Sequence, residues 1–260
     1  MCRHLARLGA PVTLHELLYE PPHALFGGQA HAPRHQVGGT INADGFGVGW
    51  YVDGRAAPVR YRRAQPVWTD ASFADVSEVA ASGCALAAVR SATPGFPVEE
   101  TCAAPFAADH WLFSHNGRVN DFAEVENKLR GGWGDLRPPA DARAPVDSAL
   151  LFTSALARWR RGWPLGEALA QVVVDVARVS RSSQLSRLNL LATDGRALAA
   201  TTFGDSLFYR GDGGATTLAS EPCDDDPAWR EVPPGVLVTV DGGGMGVTEL
   251  PLTPPHGSAS

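Results

Sequence analysis

The chain has 260 residues, of which 44% are hydrophobic and 19% are charged, and its formal net charge is −6. This composition is typical of a globular protein and includes no dense basic stripe, which argues against nucleic acid and anionic membrane surfaces as partners. Because the sequence has neither a signal-peptide pattern nor an apolar run of about 18 residues, we expect a cytoplasmic protein that does not enter the membrane.

The first half of the chain predicts a short helix followed by alternating strands and helices. The helix is TLHELLYE, which Pro21 and Pro22 end, and no element is assigned to the residues before it. A glycine-rich apolar strand over 45–53 and a hairpin partner within 57–68 come next. The pattern then predicts a helix over 72–82 and a buried strand over 84–93 that ends in polar residues.

The second half predicts a helical middle and an all-strand end. A strand over 111–119 runs into a polar turn. Three predicted helices and one loop follow it: 121–131, the loop 132–145, 146–162 and 164–180. The last third predicts three strand-like runs and a closing hairpin over 234–252, with VDGGGMG as its turn. This order favours class α+β, and we expect one domain over 1–260 with a frayed tail at 250–260.

The spacing of the cysteines indicates whether the chain is expected to bind a metal. Cys2, Cys84, Cys102 and Cys223 lie far apart and include no CxxC pair, so they match neither a zinc site nor a dense disulfide framework. The sequence also contains no Walker loop and no dinucleotide-binding turn. We therefore expect no metal and no cofactor.

Cys2 stands directly behind the initiator methionine. If Met1 is removed, Cys2 carries both a thiol and a free α-amino group, whose unperturbed pKa of about 7.7–8.0 suits it to act as the base for its own nucleophile. The alternative is a chance cysteine in a disordered start. Cys2 alone does not decide between the two interpretations.

Three further polar groups stand at the ends of predicted elements, where loops present chemistry on a rigid scaffold. Arg90 follows a buried strand and either forks onto a carboxylate or forms a surface salt bridge. Asn116 and Gly117 in SHNG, which we expect directly after a buried strand, either supply two N–H donors to an oxyanion hole or form an Asn-Gly turn. Asp147 either binds an ammonium group or caps a helix.

These groups fit one small ligand when they are taken together. A carboxylate fork and an acidic anchor would hold the α-carboxylate and α-amine of an amino acid and present its side-chain carbonyl to the thiol. The oxyanion hole would then receive the charge that develops on that carbonyl. The combination predicts hydrolysis of a γ-glutamyl amide, a small-molecule substrate.

The N-terminal Cys2 and the motifs VRSAT, SHNG and VDS, in this order, resemble the class II glutamine amidotransferase family of N-terminal nucleophile hydrolases. The resemblance covers nearly the entire chain. It implies a four-layer αββα sandwich, in which two antiparallel sheets lie between layers of helices.

The resemblance also implies roles for individual residues. Cys2 is the expected nucleophile with its α-amine as base, and Asn116 with Gly117 is the expected oxyanion hole. Arg90 is expected to take the glutamyl carboxylate and Asp147 the glutamyl ammonium. The predicted substrate-binding set is completed by two neighbours of these residues, Ser91 and His115.

Further motifs resemble the branch of this family that hydrolyses γ-glutamyl-hercynylcysteine sulfoxide in ergothioneine biosynthesis, among them MCRHLARLG, APRHQ, NADGFGVGWY and ASEPCDDDPAW. That branch implies a glutamyl thioester intermediate, with glutamate and hercynylcysteine sulfoxide as products. The alternative within the family is a glutamine amidotransferase subunit that passes ammonia to a partner synthase. The alternative outside it is a non-catalytic module in which Cys2 is incidental.

The leaving group of that substrate carries a trimethylammonium, which aromatic faces backed by carboxylates bind. Each tryptophan is more simply explained as a core residue, and the sequence does not single one out. The candidates are Trp50, Trp68, Trp111 and Trp229, with Asp44 and Glu221 as acids.

Overall fold

The computed structural model describes residues 2–36, 41–132, 139, 143–180 and 186–252. The strands are β1 (Arg3–Thr13), β2 (Phe46–Trp50), β3 (Val59–Arg63), β4 (Ala81–Val89), β5 (Phe106–Ala108), β6 (Trp111–Arg118), β7 (Arg187–Thr193), β8 (Leu198–Thr201), β9 (Phe208–Asp212), β10 (Ala215–Ala219), β11 (Arg230–Glu231), β12 (Val236–Asp241) and β13 (Gly244–Glu249). The helices are α1 (Leu14–Leu18), α2 (Ala71–Val79), α3 (Phe122–Gly132), α4 (Asp147–Trp159) and α5 (Leu165–Val179). Single π- or 3₁₀-helical turns lie at Leu25–Gln29, Val67–Thr69 and Glu100–Cys102.

Two sheets form the centre of the fold. The first has the strand order β11-β9-β10-β1-β4-β2-β3, and the second has the order β13-β12-β8-β7-β6-β5. Within the described residues, the pairings in both sheets are antiparallel. The chain therefore contains the two antiparallel sheets that the resemblance implies.

Three apolar clusters hold the layers together. The cluster between the two sheets includes Ala6, Leu86, Leu112, Leu191 and Leu218. The cluster between the second sheet and helices α3, α4 and α5 includes Phe113, Val125, Leu150, Val173 and Leu190. The cluster that covers the outer face of the first sheet includes Leu5, Leu14, Leu18, Phe46 and Phe73. These three clusters separate four layers in the order helix, sheet, sheet, helix, so the predicted αββα architecture is confirmed.

Strand β1 is the largest difference from the sequence prediction, which assigned no element to these residues. β1 lies between β10 and β4 and pairs with both of them. The side chains of Arg3 and His4 are fully buried in it. Because two of the four buried positions of β1 are charged or polar, the strand does not show the apolar pattern by which strands are recognised.

The predicted helices occur, with shifted ends. Helix α1 begins with a capping box, because the Thr13 hydroxyl accepts from the Glu16 amide at 3.1 Å and the Glu16 carboxylate accepts from the Thr13 amide at 2.7 Å. Helix α2 ends at Val79 rather than at residue 82, because Ala81 and Ser82 pair with β1. Pairing in a sheet overrides helix propensity at these positions.

Two predicted irregular segments reach beyond the described residues. The loop predicted over 132–145 lies mostly outside them. The frayed tail was predicted to begin at residue 250, yet Leu250 is buried and Leu252 packs against the helix-side core. Residues 253–260 lie outside the described part of the chain. The closing hairpin is present as β12 and β13, with Gly242 and Gly243 between them.

Candidate active site

The nucleophile candidate lies at the head of the central strand. Arg3 pairs with Val89 in the β1–β4 ladder, so Cys2 lies opposite Arg90, the first residue after β4. Because side chains alternate along a strand, Cys2 shares its face of the first sheet with His4 and Ala6, which point towards the second sheet. The fold therefore brings Cys2 and Arg90 together between the two sheets.

The Cys2 thiol is half-buried and contacts the Ser91 carbonyl oxygen at 3.9 Å. Burial raises the pKa of the Cys2 thiol above its ordinary value, an effect that the Arg90 guanidinium opposes and the Asp147 carboxylate reinforces. The thiol is therefore protonated near neutral pH and needs a base before it can attack. If Met1 is removed, the α-amine of the same residue can act as that base.

Arg90 does not form the surface salt bridge that was one of its two interpretations. It is buried, and its guanidinium donates to the main-chain oxygens of Asp44 at 3.4 Å and Pro97 at 3.0 Å. The Asp44 carboxylate meanwhile accepts from the Ala92 amide at 2.7 Å and so fixes the chain after Arg90. These neutral contacts orient the guanidinium and leave donors for a ligand carboxylate.

Asn116 lies inside β6, so the prediction that SHNG follows the strand is wrong, and so is the turn interpretation. Asn116 pairs with Asn189 of β7. Its side chain is fully buried, and Nδ2 donates to the Ser220 hydroxyl at 3.2 Å. Ser220 directly follows β10 of the sheet that continues from Cys2, and its hydroxyl accepts from the His4 amide at 3.0 Å. Nδ2 has a second hydrogen, which is available to an oxyanion.

Gly117 is the position at which the chain needs a glycine. A Cβ placed there would lie 2.0 Å from the Arg187 carbonyl oxygen and 2.8 Å from Nε2 of His115. Neither a main-chain carbonyl nor a buried ring can move far enough to make room. The close approach of β6 to β7 thus fixes the main chain of the predicted oxyanion hole.

Asp147 is the first residue of α4, and Val146 occupies the capping position, so Asp147 is not the N-cap. The Asp147 carboxylate is buried and accepts from the main-chain amides of Val119 at 2.9 Å and Ser148 at 2.8 Å. Each oxygen has lone-pair capacity left for a ligand ammonium. Its role as the ammonium anchor stays a prediction.

His115 projects from the opposite face of β6 to Asn116. Its Nδ1 lies 3.0 Å from the Ser148 hydroxyl, and its Nε2 lies 2.9 Å from the Arg187 carbonyl oxygen. Both ring nitrogens are therefore engaged by the protein. This geometry gives His115 a supporting position behind the oxyanion hole rather than the substrate contact that the sequence predicted.

Sequence reasoning missed a polar bridge between the sheets, which consists of His4, Ser114 and Ser220. Nδ1 of His4 lies 3.2 Å from the Ser114 hydroxyl, and burial lowers the pKa of His4 to about 3, with the Arg3 charge acting in the same direction. His4 is thus neutral at physiological pH. The only sequence signal was the placement of these residues within the quoted motifs MCRHLARLG, SHNG and ASEP.

We expect His4 to make the fold less stable in acid. An unfolded histidine titrates near pH 6.5 while His4 titrates at about 3 in the fold, so the unfolded chain binds more protons between these values. Stability is therefore complete above about pH 6.5 and falls by about 2 kcal/mol by pH 5. Denaturant unfolding at pH 7 and pH 5 measures the loss, and His4→Gln should reduce it by that amount. An equal loss in both proteins, or a His4 ring that titrates near pH 6.5 by NMR, contradicts the assignment.

The tryptophan candidates occupy different environments. Trp50 is buried in the outer core of the first sheet, and Trp111 stacks on Trp159 beneath the helices, so both have structural positions. Trp68 is exposed. Trp229 lines a cavity of about 220 Å³, whose other lining residues are Arg34, His35, Pro222 and Asp224 to Asp226. The Arg210 guanidinium already covers one face of Trp229 at 5.2 Å.

The described residues contain no group of three or more His, Cys, Asp or Glu side chains arranged to hold a metal ion. None of the helices found among them has the length and apolar character that crossing a membrane requires.

The chain is similar in sequence to a known protein family and to named relatives. A family profile described as class-II glutamine amidotransferases matches residues 29–211. A Mycolicibacterium smegmatis protein named γ-glutamyl-hercynylcysteine sulfoxide hydrolase is 42% identical over 252 residues, which are 96% of this chain and 100% of the relative. A protein of the same name from Mycobacterium tuberculosis is 43% identical over 96% of this chain and 97% of the relative.

Solved structures agree with the fold. A glutamine aminotransferase class-II domain protein from Silicibacter pomeroyi has a TM-score of 0.68 at 26% identity, covering 96% of this chain and 99% of that chain. The glutamine phosphoribosylpyrophosphate amidotransferase of B. subtilis has a TM-score of 0.65 at 16% identity, covering 97% of this chain and 50% of that one. The second likeness concerns the fold alone.

Proposed function

Because this chain belongs to the class II glutamine amidotransferase family, we propose that it uses Cys2 to hydrolyse the γ-glutamyl amide bond of γ-glutamyl-hercynylcysteine sulfoxide. The products are glutamate and hercynylcysteine sulfoxide, a step of ergothioneine biosynthesis. The choice of substrate rests on relatives that bear this name and are 42% identical over 96% of the chain. The observation that carries the reaction type is the position of Cys2, which lies beside Arg90 on the face that Asn116 opposes.

The reaction begins with the thiol. The free α-amine of processed Cys2 takes the thiol proton, and the thiolate attacks the γ-carbonyl carbon. The oxygen of the tetrahedral intermediate accepts from Asn116 Nδ2 and the Gly117 amide, which stabilise the negative charge that develops on it. The carbon–nitrogen bond then breaks, and the α-ammonium returns its proton to the leaving amine. A glutamyl thioester remains on Cys2.

The second half of the reaction consumes water. The α-amine, neutral again, takes a proton from a water molecule that attacks the thioester carbonyl. The same two N–H groups stabilise the second oxyanion. Collapse of that intermediate breaks the carbon–sulfur bond, and the proton on the amine restores the thiol. Glutamate is released and Cys2 is unchanged.

The glutamyl half is oriented by two charged residues, Arg90 and Asp147, which we name the glutamyl clamp. In this proposal Arg90 receives the α-carboxylate in a forked contact, and Asp147 receives the α-ammonium. Both side chains are buried, so loss of one leaves a desolvated ligand charge without its partner. Orientation of the carbonyl relative to Cys2 depends on both.

Arg90→Ala and Asp147→Ala should each lower kcat/KM by about 10²-fold for the sulfoxide substrate and equally for glutamine. The reason is that the clamp touches only the glutamyl half, which both substrates share. Steady-state assays with the two substrates measure the effect, and the exposed Arg196 provides a matched Arg196→Ala control. A variant that kept full activity on the sulfoxide while losing glutamine would show that the clamp is not shared.

The proposed substrate is tested by supplying γ-glutamyl-hercynylcysteine sulfoxide and glutamine separately and measuring glutamate. We expect kcat/KM to be higher for the sulfoxide. An ammonia-donating subunit would instead prefer glutamine, and a non-catalytic module would release glutamate from neither. The three outcomes are distinct in one assay.

A further inference from the structure

Two arginines extend the strand face that carries Asn116. The β6–β7 ladder pairs Asn116 with Asn189 and, two residues on, Arg118 with Arg187. Because side chains alternate along a strand, both arginines project from the same face as Asn116. Like charges directly opposite each other destabilise a sheet. A pair of this kind beside an oxyanion hole therefore suggests that an anion binds there.

The Arg187 side chain is positioned by the loop between β8 and β9. It crosses Gly204, where a Cβ would lie 2.8 Å from Arg187 Cγ, and its Nε reaches Asp205 Oδ2 at 3.4 Å. Asn189 holds this loop, since Nδ2 donates to the Asp205 carbonyl oxygen at 2.8 Å. Asn189, the residue opposite Asn116, thus positions the Arg187 guanidinium through the loop that contains Asp205.

Arg118, Arg187 and Asp205 form a cluster whose positive and negative charges do not balance. Asp205 has a side chain that is 1% exposed, and its carboxylate oxygens have no hydrogen-bond partner in the described part of the chain. Burial raises the pKa of the Asp205 carboxyl group, and Arg187 opposes that shift. The side chain of Arg118 is exposed, and the structure gives it neither an ion pair nor a hydrogen bond among residues 2–36, 41–132, 139, 143–180 and 186–252. The Asp205 carboxylate lies beside Arg187, and the charge of Arg118 has no partner among the described residues, so one positive charge is available to a ligand.

The cluster lies on the leaving-group side of Cys2. β1 has β4 on one side and β10 on the other. Arg90 of the glutamyl clamp extends β4, whereas the loop of Asp205 meets the end of β10, where the Ser206 hydroxyl donates to the Ser220 carbonyl oxygen at 2.9 Å. The two halves of a γ-glutamyl amide would therefore meet charged groups on opposite sides of the nucleophile.

We propose that Arg118 and Arg187 bind the carboxylate of an amino-acid leaving group, the one carried by the carbon next to the scissile nitrogen. This inference rests on the proposed γ-glutamyl amide hydrolysis and adds a determinant of substrate choice. A guanidinium pair matches the two oxygens of a carboxylate. Free glutamine has only hydrogens on its amide nitrogen and gains nothing from the site, so the arginines favour γ-glutamyl amino acids over glutamine.

The test compares two substrates that differ in one group. One is γ-glutamyl-hercynylcysteine sulfoxide, and the other is its synthetic analogue with hydrogen in place of the cysteinyl carboxylate. The ratio of their kcat/KM values is measured for the wild type, Arg118→Gln, Arg187→Gln and the exposed control Arg196→Gln. We expect the wild type to favour the carboxylated substrate and each site variant to lower the ratio roughly tenfold to a hundredfold, chiefly through KM. The control should keep the wild-type ratio.

Using a ratio separates binding from folding. A variant that only damages the structure lowers both activities together and leaves the ratio unchanged, which would overturn the proposal. A wild-type ratio near one would also overturn it while leaving the proposed hydrolysis intact. A wild type that cleaves neither compound would instead show that the proposed function itself is wrong.

Discussion

Cys2→Ala should lower kcat for the sulfoxide substrate by on the order of 10⁵- to 10⁶-fold, as loss of a catalytic nucleophile does in other hydrolases. The oxyanion hole and the glutamyl clamp would remain, but no group would form the covalent intermediate. The fold should survive, because Cys2 precedes β1 and its thiol makes one long contact, 3.9 Å to the Ser91 carbonyl oxygen. Release of glutamate over long incubations measures the residual rate.

The other cysteines provide the control for this experiment. Cys84 is buried and pairs with Leu8 in the β1–β4 ladder, six residues along β1 from Cys2. Cys84→Ala should therefore retain most of the wild-type activity, with a modest loss of stability from the vacated volume. If Cys2→Ala retained more than about one part in a hundred of the wild-type rate, Cys2 would not be the nucleophile.

Asn116→Ala should lower kcat by roughly 10²- to 10³-fold, with a much smaller change in KM. The lost N–H group stabilises charge that exists in the transition state and not in the bound amide. Steady-state kinetics measure the change, and thermal unfolding shows whether loss of the contact to Ser220 has weakened the fold. Asn127, an exposed residue of α3, provides a matched Asn127→Ala control with unchanged kinetics. A loss of less than about fivefold would place the oxyanion hole elsewhere.

The helices in the middle of the chain could be predicted from the sequence alone. Helices α4 and α5 repeat their apolar residues at helical spacing, and that pattern also places their buried faces against the second sheet. The polar residues at the site were recognised by their chemistry. Arg90 follows a run of small apolar residues, which predicts a buried strand that ends at a functional group.

Elements with buried polar side chains could not be predicted from the sequence where those side chains are paired with residues far away in the chain. β1 was missed because Arg3 is paired with Glu221 at 3.0 Å and His4 is paired with Ser114, contacts that join remote parts of the chain. SHNG was placed after its strand because polar residues in a central strand are unfavourable unless they are paired. Ser220 provides that partner for Asn116. No local pattern contains such information.

Cys2, whose α-amine is free once Met1 has been removed, is proposed to carry the glutamyl group during turnover. Enzyme that is processing the sulfoxide substrate is quenched in acid, and its N-terminal peptide is analysed by mass spectrometry. We expect a peptide that begins at Cys2 and carries one glutamyl group on the thiol. A fully active enzyme whose N-terminal peptide retains Met1, or a glutamyl group attached to a residue other than Cys2, would contradict it.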